Sequence, residues 1–284
     1  MNIQKIAILV DSGSDVPKEM VKKYKMYVAP LTINYKDEQY TDGVDISAEE
    51  VYRRLESEIP STSLPSPTMI QSIFDQIKVD GYERVLAVTI SSGLSGTYNI
   101  IRMLGEEQED LDVFVVDSKN ISIASGFNAI QAAQYIEEGM DWESLKKTLT
   151  ENTGNSRVFF CVSTLKYLQK GGRIGLVASI LGETISMKPI ISCNEEGIYY
   201  TVSKTLGESR ALNKALELAI EFIGDSQKYN LGVVHAGVQN KADKIRTSLI
   251  TSLPNYKILV DGEISPALGV HTGPGAIGVV VQKL

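Results

Sequence analysis

The sequence predicts an α/β protein in two parts, with a parallel sheet first and a mixed sheet second. Through the first half, short continuous apolar runs alternate with helical segments, the pattern of a parallel sheet covered on both faces. In the second half, hairpin-like turns mix with crossover helices, which points to a mixed sheet. The polar stretch Thr153-Gly154-Asn155-Ser156 separates the two patterns, dividing the chain into an N-terminal α/β/α domain, 1–154, and a C-terminal mixed-sheet α/β domain, 155–284.

The elements follow in order. The apolar run 5–10 is the first strand, and Asp15-Val16-Pro17 opens a helix through Tyr24. Residues 27–35 read as the next strand. Ser47-Ala48-Glu49-Glu50 is a capping box, and its helix runs through Leu55. Ser66-Pro67 pairs a hydroxyl N-cap with a proline at the first helical position, where its missing amide costs nothing; this helix runs to about Ile77. Strands over 85–90 and 113–116 alternate with helices over 97–104 and 121–137, the latter closed by Gly139, and a last helix spans 141–152. Past the junction come a strand over 158–162, a short helix over 164–169, an apolar run over 177–181, and 188–192 turning through 194–197 into 198–202. The amphipathic helix Glu208–Ile223 ends at Gly224; a strand over 231–235, a helix over 241–253 and runs over 257–260 and 277–282 complete the set.

Composition excludes several classes. Hydrophobic residues make up 43% and charged residues 22% of the 284, ordinary globular usage that rules out a disordered or collagen-like chain. With 28 basic against 35 acidic residues the net charge is −7, which argues against nucleic acid as a partner, since phosphate neutralisation needs clustered cations. No run approaches the roughly 18 apolar residues of a membrane helix, so stable membrane insertion is not expected. The apolar stretch 6–10 is too short for a signal-peptide core, so a cytoplasmic protein is expected. Cys161 and Cys193 both sit in apolar runs and read as buried thiols.

The most informative segment is Ser91-Ser92-Gly93-Leu94-Ser95-Gly96-Thr97-Tyr98, which leaves an apolar strand and opens a helix. Such a turn either caps its helix or binds an anion, because free N–H groups, a positive dipole end and serine hydroxyls converge there. It is not a phosphate-binding Walker loop, for no Gly-Lys-Ser/Thr follows. It is an imperfect hydrolase elbow, with Thr97 where the last glycine belongs. Pro60-Ser61-Thr62-Ser63-Leu64-Pro65-Ser66-Pro67 is a stiff, hydroxyl-bearing loop or simply a linker and cap. Asp11-Ser12-Gly13-Ser14-Asp15 closes the first strand and either caps the next helix or holds a metal; Asp117-Ser118 repeats the strand-end pattern. In Lys170-Gly171-Gly172-Arg173-Ile174 the cations either complement a helix end or reach an anionic ligand. His271-Thr272-Gly273-Pro274-Gly275-Ala276-Ile277-Gly278 leads into a strand and holds Pro274, so its Gly-x-Gly-x-x-Gly is no dinucleotide fingerprint. The glycines shape a turn that presents His271.

These motifs, in this order across the whole chain, resemble the DegV family of bacterial fatty-acid-binding proteins. The resemblance implies a DegV-like fold of two domains, with a long-chain fatty acid such as palmitate or stearate in an apolar tunnel and its carboxylate near the domain interface. By position, Thr62 and Ser95 would bind the carboxylate, His271 would lie beside them and Arg173 at the mouth. The protein would be a lipid carrier with no catalytic residues, metal or cofactor of its own. Family members serve as the lipid-carrying subunit of a fatty acid kinase, whose separate ATP-binding subunit forms the acyl-phosphate for phospholipid synthesis. Leu64 stands where the family often has Gln, and Lys204 where it often has Arg; a lysine is a weaker, monodentate grip on a phosphoryl group or partner. A monomer is expected. The competing readings are a serine hydrolase built on Ser95, His271 and Asp117, and a phosphosugar or nucleotide binder using the helix start at Thr97.

Overall fold

The structure, a computed structural model, describes residues 2–182 and 186–284. Its elements are β1 (Ile6–Asp11), α1 (Lys18–Tyr24), β2 (Tyr27–Ala29), β3 (Thr32–Asn34), β4 (Gln39–Thr41), α2 (Ala48–Arg54), β5 (Ser61–Ser63), α3 (Pro67–Val79), β6 (Arg84–Thr89), α4 (Thr97–Glu106), β7 (Asp112–Asp117), α5 (Ile123–Glu137) and α6 (Trp142–Glu151). Then follow β8 (Ser156–Cys161), α7 (Lys166–Lys170), β9 (Met187–Cys193), β10 (Tyr199–Leu206), α8 (Glu208–Ile223), β11 (Tyr229–His235), α9 (Gln239–Ser252), β12 (Leu259–Glu263), α10 (Pro266–Thr272) and β13 (Ile277–Lys283). The first sheet, in the order β2-β1-β6-β7, is wholly parallel. The second, β10-β9-β8-β13-β11-β12, is mixed, with β11 and β12 parallel and its other pairs antiparallel. Among the described residues no helix is long and apolar enough to cross a membrane.

Alternation along the strands assigns each face a layer. Ala7, Leu9, Val85 and Ala87 pack with Phe74 and Ile77 of α3 and Ile101 of α4, while Ile8, Val10, Leu86 and Val88 face the other way. In the second sheet Phe159, Leu231, Val279 and Val281 pack under α8 and α9, and Val158, Phe160, Val234 and Val280 face inward. Between the two inward faces lies α5, which is apolar or small around nearly its whole circumference and correspondingly buried from Ile123 to Ala133. Glycines let it sit that close: a Cβ on Gly126 would fall 2.5 Å from the Ser14 carbonyl oxygen, and one on Gly232 of β11 would fall 2.9 Å from Ile123.

Most expected elements are present, with three instructive differences. The strand expected over 27–35 is two strands, because Pro30 has no amide to donate and a fixed φ. β2 stays in the parallel sheet, and β3 turns away into a small antiparallel sheet, β4-β3-β5. The stiff loop carrying Thr62 is the edge strand β5 of that sheet, with Thr62 opposite Ile33. The apolar run 177–181 lies in a 3-10 helix, Gly175–Ile180. Ser47 and Ser66 cap as read, accepting from the amides of Glu50 and Met69.

Gly126→Ala tests the layered packing. Alanine in a helix interior normally gains up to about 1 kcal/mol over glycine. Here the backbone contact with Ser14 should reverse the sign and cost roughly 1–3 kcal/mol, seen as a lower urea midpoint; an unchanged or higher midpoint contradicts the packing described.

Candidate functional site

The inward face of the second sheet and the turns that leave the strands of the first enclose a cavity of about 280 Å³. Its walls are mostly apolar: Ile90, Ile121, Val158, Phe160, Val234 and Leu268 are among the residues that line it, with Phe160 edge-on to Tyr199. Thr62, Ser95, Arg173 and His271 all line the same cavity, so the structure brings together the residues singled out in four separate motifs.

Each is placed by a different element. Thr62 is held by the β3–β5 ladder. Ser95 lies on the turn before α4, where its hydroxyl meets Thr97 Oγ1 at 2.8 Å and accepts the Thr97 amide at 3.3 Å. Arg173 is braced by the chain, donating from Nε to the Leu94 carbonyl at 3.2 Å and from Nη1 to the Gly171 carbonyl at 2.7 Å. A guanidinium carries five donors, so Arg173 keeps capacity for an anion. His271 lies in the last turn of α10, and its Nε2 meets Thr62 Oγ1 at 2.7 Å. Leu64 also lines the cavity and packs on Gly96, a contact the amide of Gln would make polar.

His271 is neutral in this setting. Burial of the ring, and then the positive charge of Arg173, push its pKa down to about 3. Nδ1 has no hydrogen-bond partner among the described residues and lies against Gly171, where a Cβ would fall 2.1 Å away. A buried N–H without an acceptor is the costlier orphan, so we assign the single ring proton to Nε2. His271 then donates to Thr62, and the Thr62 hydroxyl proton is left to point at a ligand in the cavity.

Two alternatives fail on geometry. For a hydrolase, Asp117 would have to orient His271, but its carboxylate accepts the Ser92 and Lys119 amides and pairs with Lys119 Nζ at 2.8 Å. Ser95 meets Thr97, not an imidazole. For a phosphosugar or nucleotide, the Thr97 amide would have to be free and the pocket polar, and neither holds. Ser91, in the same motif, instead donates to the Gly197 carbonyl at 2.8 Å and ties the two halves together. Cys161 and Cys193 are buried and free, and burial pushes both thiols up to about 12, which makes them unreactive. Lys204 is on the edge strand β10, opposite Pro189 and outside the cavity lining.

The sequence reading missed α10. Its signal was present in Ser265-Pro266, the same hydroxyl-then-proline start as Ser66-Pro67, and Ser265 does cap it by accepting the Leu268 amide. His235, which lines the cavity and meets Gln239 Oε1 at 2.8 Å, carried no local signal.

The fold and cavity define a class: a mixed α/β protein holding an apolar cavity under hydroxyls, a neutral imidazole and a braced arginine. This chain belongs to the DegV family, whose description reads "uncharacterised protein, DegV family", and matches it over residues 5–284. It is 42% identical over 282 residues to a DegV domain-containing protein of Clostridium acetobutylicum, covering 99% of this chain and 100% of that relative. It is similar in structure to a fatty-acid-binding DegV family protein from Thermus thermophilus, with a TM-score of 0.92, 26% identity and 100% of each chain covered. It is also similar to a stearic-acid-binding protein from Eubacterium ventriosum, with a TM-score of 0.87, 27% identity and 98% of each chain covered.

The depressed His271 pKa has a signed consequence. An unfolded histidine takes its proton near 6.5 and the folded one only near 3, so its contribution to stability is complete above 6.5 and is lost as pH falls toward 3. The stability difference between wild type and His271→Gln, measured by urea unfolding, should therefore shrink between pH 7 and pH 4.5. An unchanged difference contradicts the assignment.

Proposed function

We propose that this protein binds a long-chain fatty acid, of the palmitate or stearate class, with its tail in the apolar cavity and its carboxylate on the hydroxyls of Thr62 and Ser95. His271 stands beside them and Arg173 at the mouth. The observation that carries the reading is the meeting of these four side chains at one apolar cavity, and the fatty-acid-binding structural relatives support it.

The energetics suit this ligand. Each buried methylene is worth about 0.8 kcal/mol, so ten contribute about 8 kcal/mol against the cost of association. That gain survives only if the carboxylate is hydrogen-bonded. Hydroxyl donors satisfy it and leave its charge intact.

An intact charge matters for the second half of the proposal, that the bound acid is presented to the ATP-binding subunit of a fatty acid kinase. There a carboxylate oxygen attacks the terminal phosphorus of ATP, the bond to the ADP oxygen breaks, and an acyl-phosphate and ADP result. A bidentate arginine clamp would stabilise the ground state and blunt this nucleophile. Arg173 at the mouth instead meets charge that grows during transfer. In this reading the chain is a carrier and the kinase subunit supplies the catalysis. It acts as a monomer in the cytoplasm, where ATP is made available, and feeds phospholipid synthesis. The division into domains 1–154 and 155–284 belongs to the same reading, with the cavity at their boundary.

Native mass spectrometry of the purified protein should show a co-purified fatty acid. Thr62→Ala combined with Ser95→Ala should weaken binding about 100-fold or more, as expected for losing two hydrogen bonds worth about 1.5–3 kcal/mol each to a charged group. Wild-type affinity in the double variant contradicts the carboxylate site.

A further inference from the structure

The strand-end motif Asp11-Ser12-Gly13-Ser14-Asp15 plays no part in the reading above, nor does Asp42, yet all three carboxylates are deeply placed near one another at the far end of α10. α10 has seven residues, too few for a helix to hold its place by itself. Its opening amides are accounted for from outside. Ser265 N–H donates to Asp15 Oδ1 at 2.9 Å, and Ala267 N–H donates to Asp42 Oδ1 at 2.8 Å. Pro266 has no N–H, and Leu268 N–H goes to the Ser265 hydroxyl. The second oxygen of each carboxylate is fixed in turn: Asp15 accepts from the Ser122 hydroxyl, and Asp42 accepts from the Ser12 hydroxyl at 2.6 Å. Ser12 itself accepts the Leu31 amide at 2.9 Å.

We infer that Asp15 and Asp42 are positioning residues for the ligand head group: they clamp the start of α10 so that His271, one turn on, meets Thr62. The inference rests on the fatty-acid reading and deepens it. The lever is short and stiff, for Ala267 and His271 are about 6 Å apart along a helix that rises about 1.5 Å per residue. The contact at its end is narrow, since an N–H···O hydrogen bond weakens once it stretches a few tenths of an ångström. α10 is also held by Tyr52 against Gly269, by Gly171 against the imidazole, and by flanking backbone bonds from the Ile264 amide to the His235 carbonyl and from the Gly275 amide to the Ala236 carbonyl, while the two carboxylates take the amides at its start. Asp11 completes the platform by accepting the Ile90 amide at 2.8 Å, which steadies the start of the Ser91–Tyr98 turn.

What the clamp needs is an acceptor. Burial pushes Asp15 up to about 7 and Asp42 upward from the ordinary carboxylate range, and the neutral acid still accepts through its carbonyl oxygen. An amide in the same place should therefore serve, whereas a methyl group should not.

The test compares palmitate with 1-hexadecanol, which has the same tail and no carboxylate, by equilibrium competition on the full chain. A general loss of structure weakens both ligands alike, while a misplaced His271–Thr62 pair weakens the acid selectively. Asp42→Ala and Asp15→Ala should each lower the acid-to-alcohol affinity ratio about 10-fold, and Asp42→Asn and Asp15→Asn should restore it to within about 3-fold of wild type. Ser12→Ala, a milder change outside the cavity lining, should lower the ratio in the same direction and keeps the test open if an alanine variant fails to fold. A wild-type preference for the acid that survives Asp42→Ala, Asp15→Ala and Ser12→Ala unchanged overturns this inference alone. A wild type with no preference overturns the fatty-acid reading and this inference with it.

Discussion

The hydrogen bond between His271 Nε2 and Thr62 Oγ1 joins residues 209 positions apart, and the chemistry of the cavity depends on it. It closes one end of an otherwise apolar space with a pair that is polar but uncharged. An ionised histidine there would neutralise an anionic ligand. A leucine would leave the Thr62 hydroxyl without the donor that fixes its direction. Burial and the nearby Arg173 keep the ring neutral, and the glycine at 171 leaves room for its unprotonated edge. The proton on Nε2 then dictates the direction in which Thr62 can donate. Polarity is passed along a chain of neutral groups, and the charge stays with whatever the cavity holds.

That bond is possible only because two sheets face one another across α5. The helix is apolar or small around nearly its whole circumference, so it is stable only as a shared wall, and Gly126 and Gly232 allow it to approach its neighbours closely. Beyond its reach, the inward face of the second sheet and the turns leaving the first sheet form cavity walls. The antiparallel ladder of β3 and β5 then carries Thr62 over from one half, and α10 carries His271 from the other. The Ser91 hydroxyl on Gly197 and Arg173 on the Leu94 carbonyl tie the halves near the same end. Rigidity is thus concentrated at the polar end of the cavity, and the rest of its wall is mostly apolar.

Much of this was legible before folding. Continuous apolar runs such as 85–90 announced a buried parallel sheet, because strands covered on both faces need no polar side. Ser47 and Ser66 marked helix starts, because an N-cap acts within three residues and leaves a local signature. The Ser95 and Thr62 loops stood out for their density of hydroxyls and prolines. What local pattern could not supply was direction. Pro30 showed a break but not that the chain beyond it would build a second sheet, and that sheet is what aims Thr62. Nothing near His235 distinguished it from a core histidine. The aspartates of the first strand end read as a helix cap or, less readily, a metal site until the partners of Asp11 and Asp15 proved to be amides 79 and 250 residues away.

The sequence by itself determined the layers, because burial alternates with period two in strands and follows the helical period in helices, and both are local properties. It also determined which residue types were available to hold an anion. Only the tertiary structure decided that they converge, that the imidazole stays uncharged and that the serine of the imperfect elbow hydrogen-bonds Thr97 and not an imidazole. The reason is physical: a pKa and a hydrogen bond depend on what lies within a few ångströms, and for His271 nearly all of that comes from distant parts of the chain.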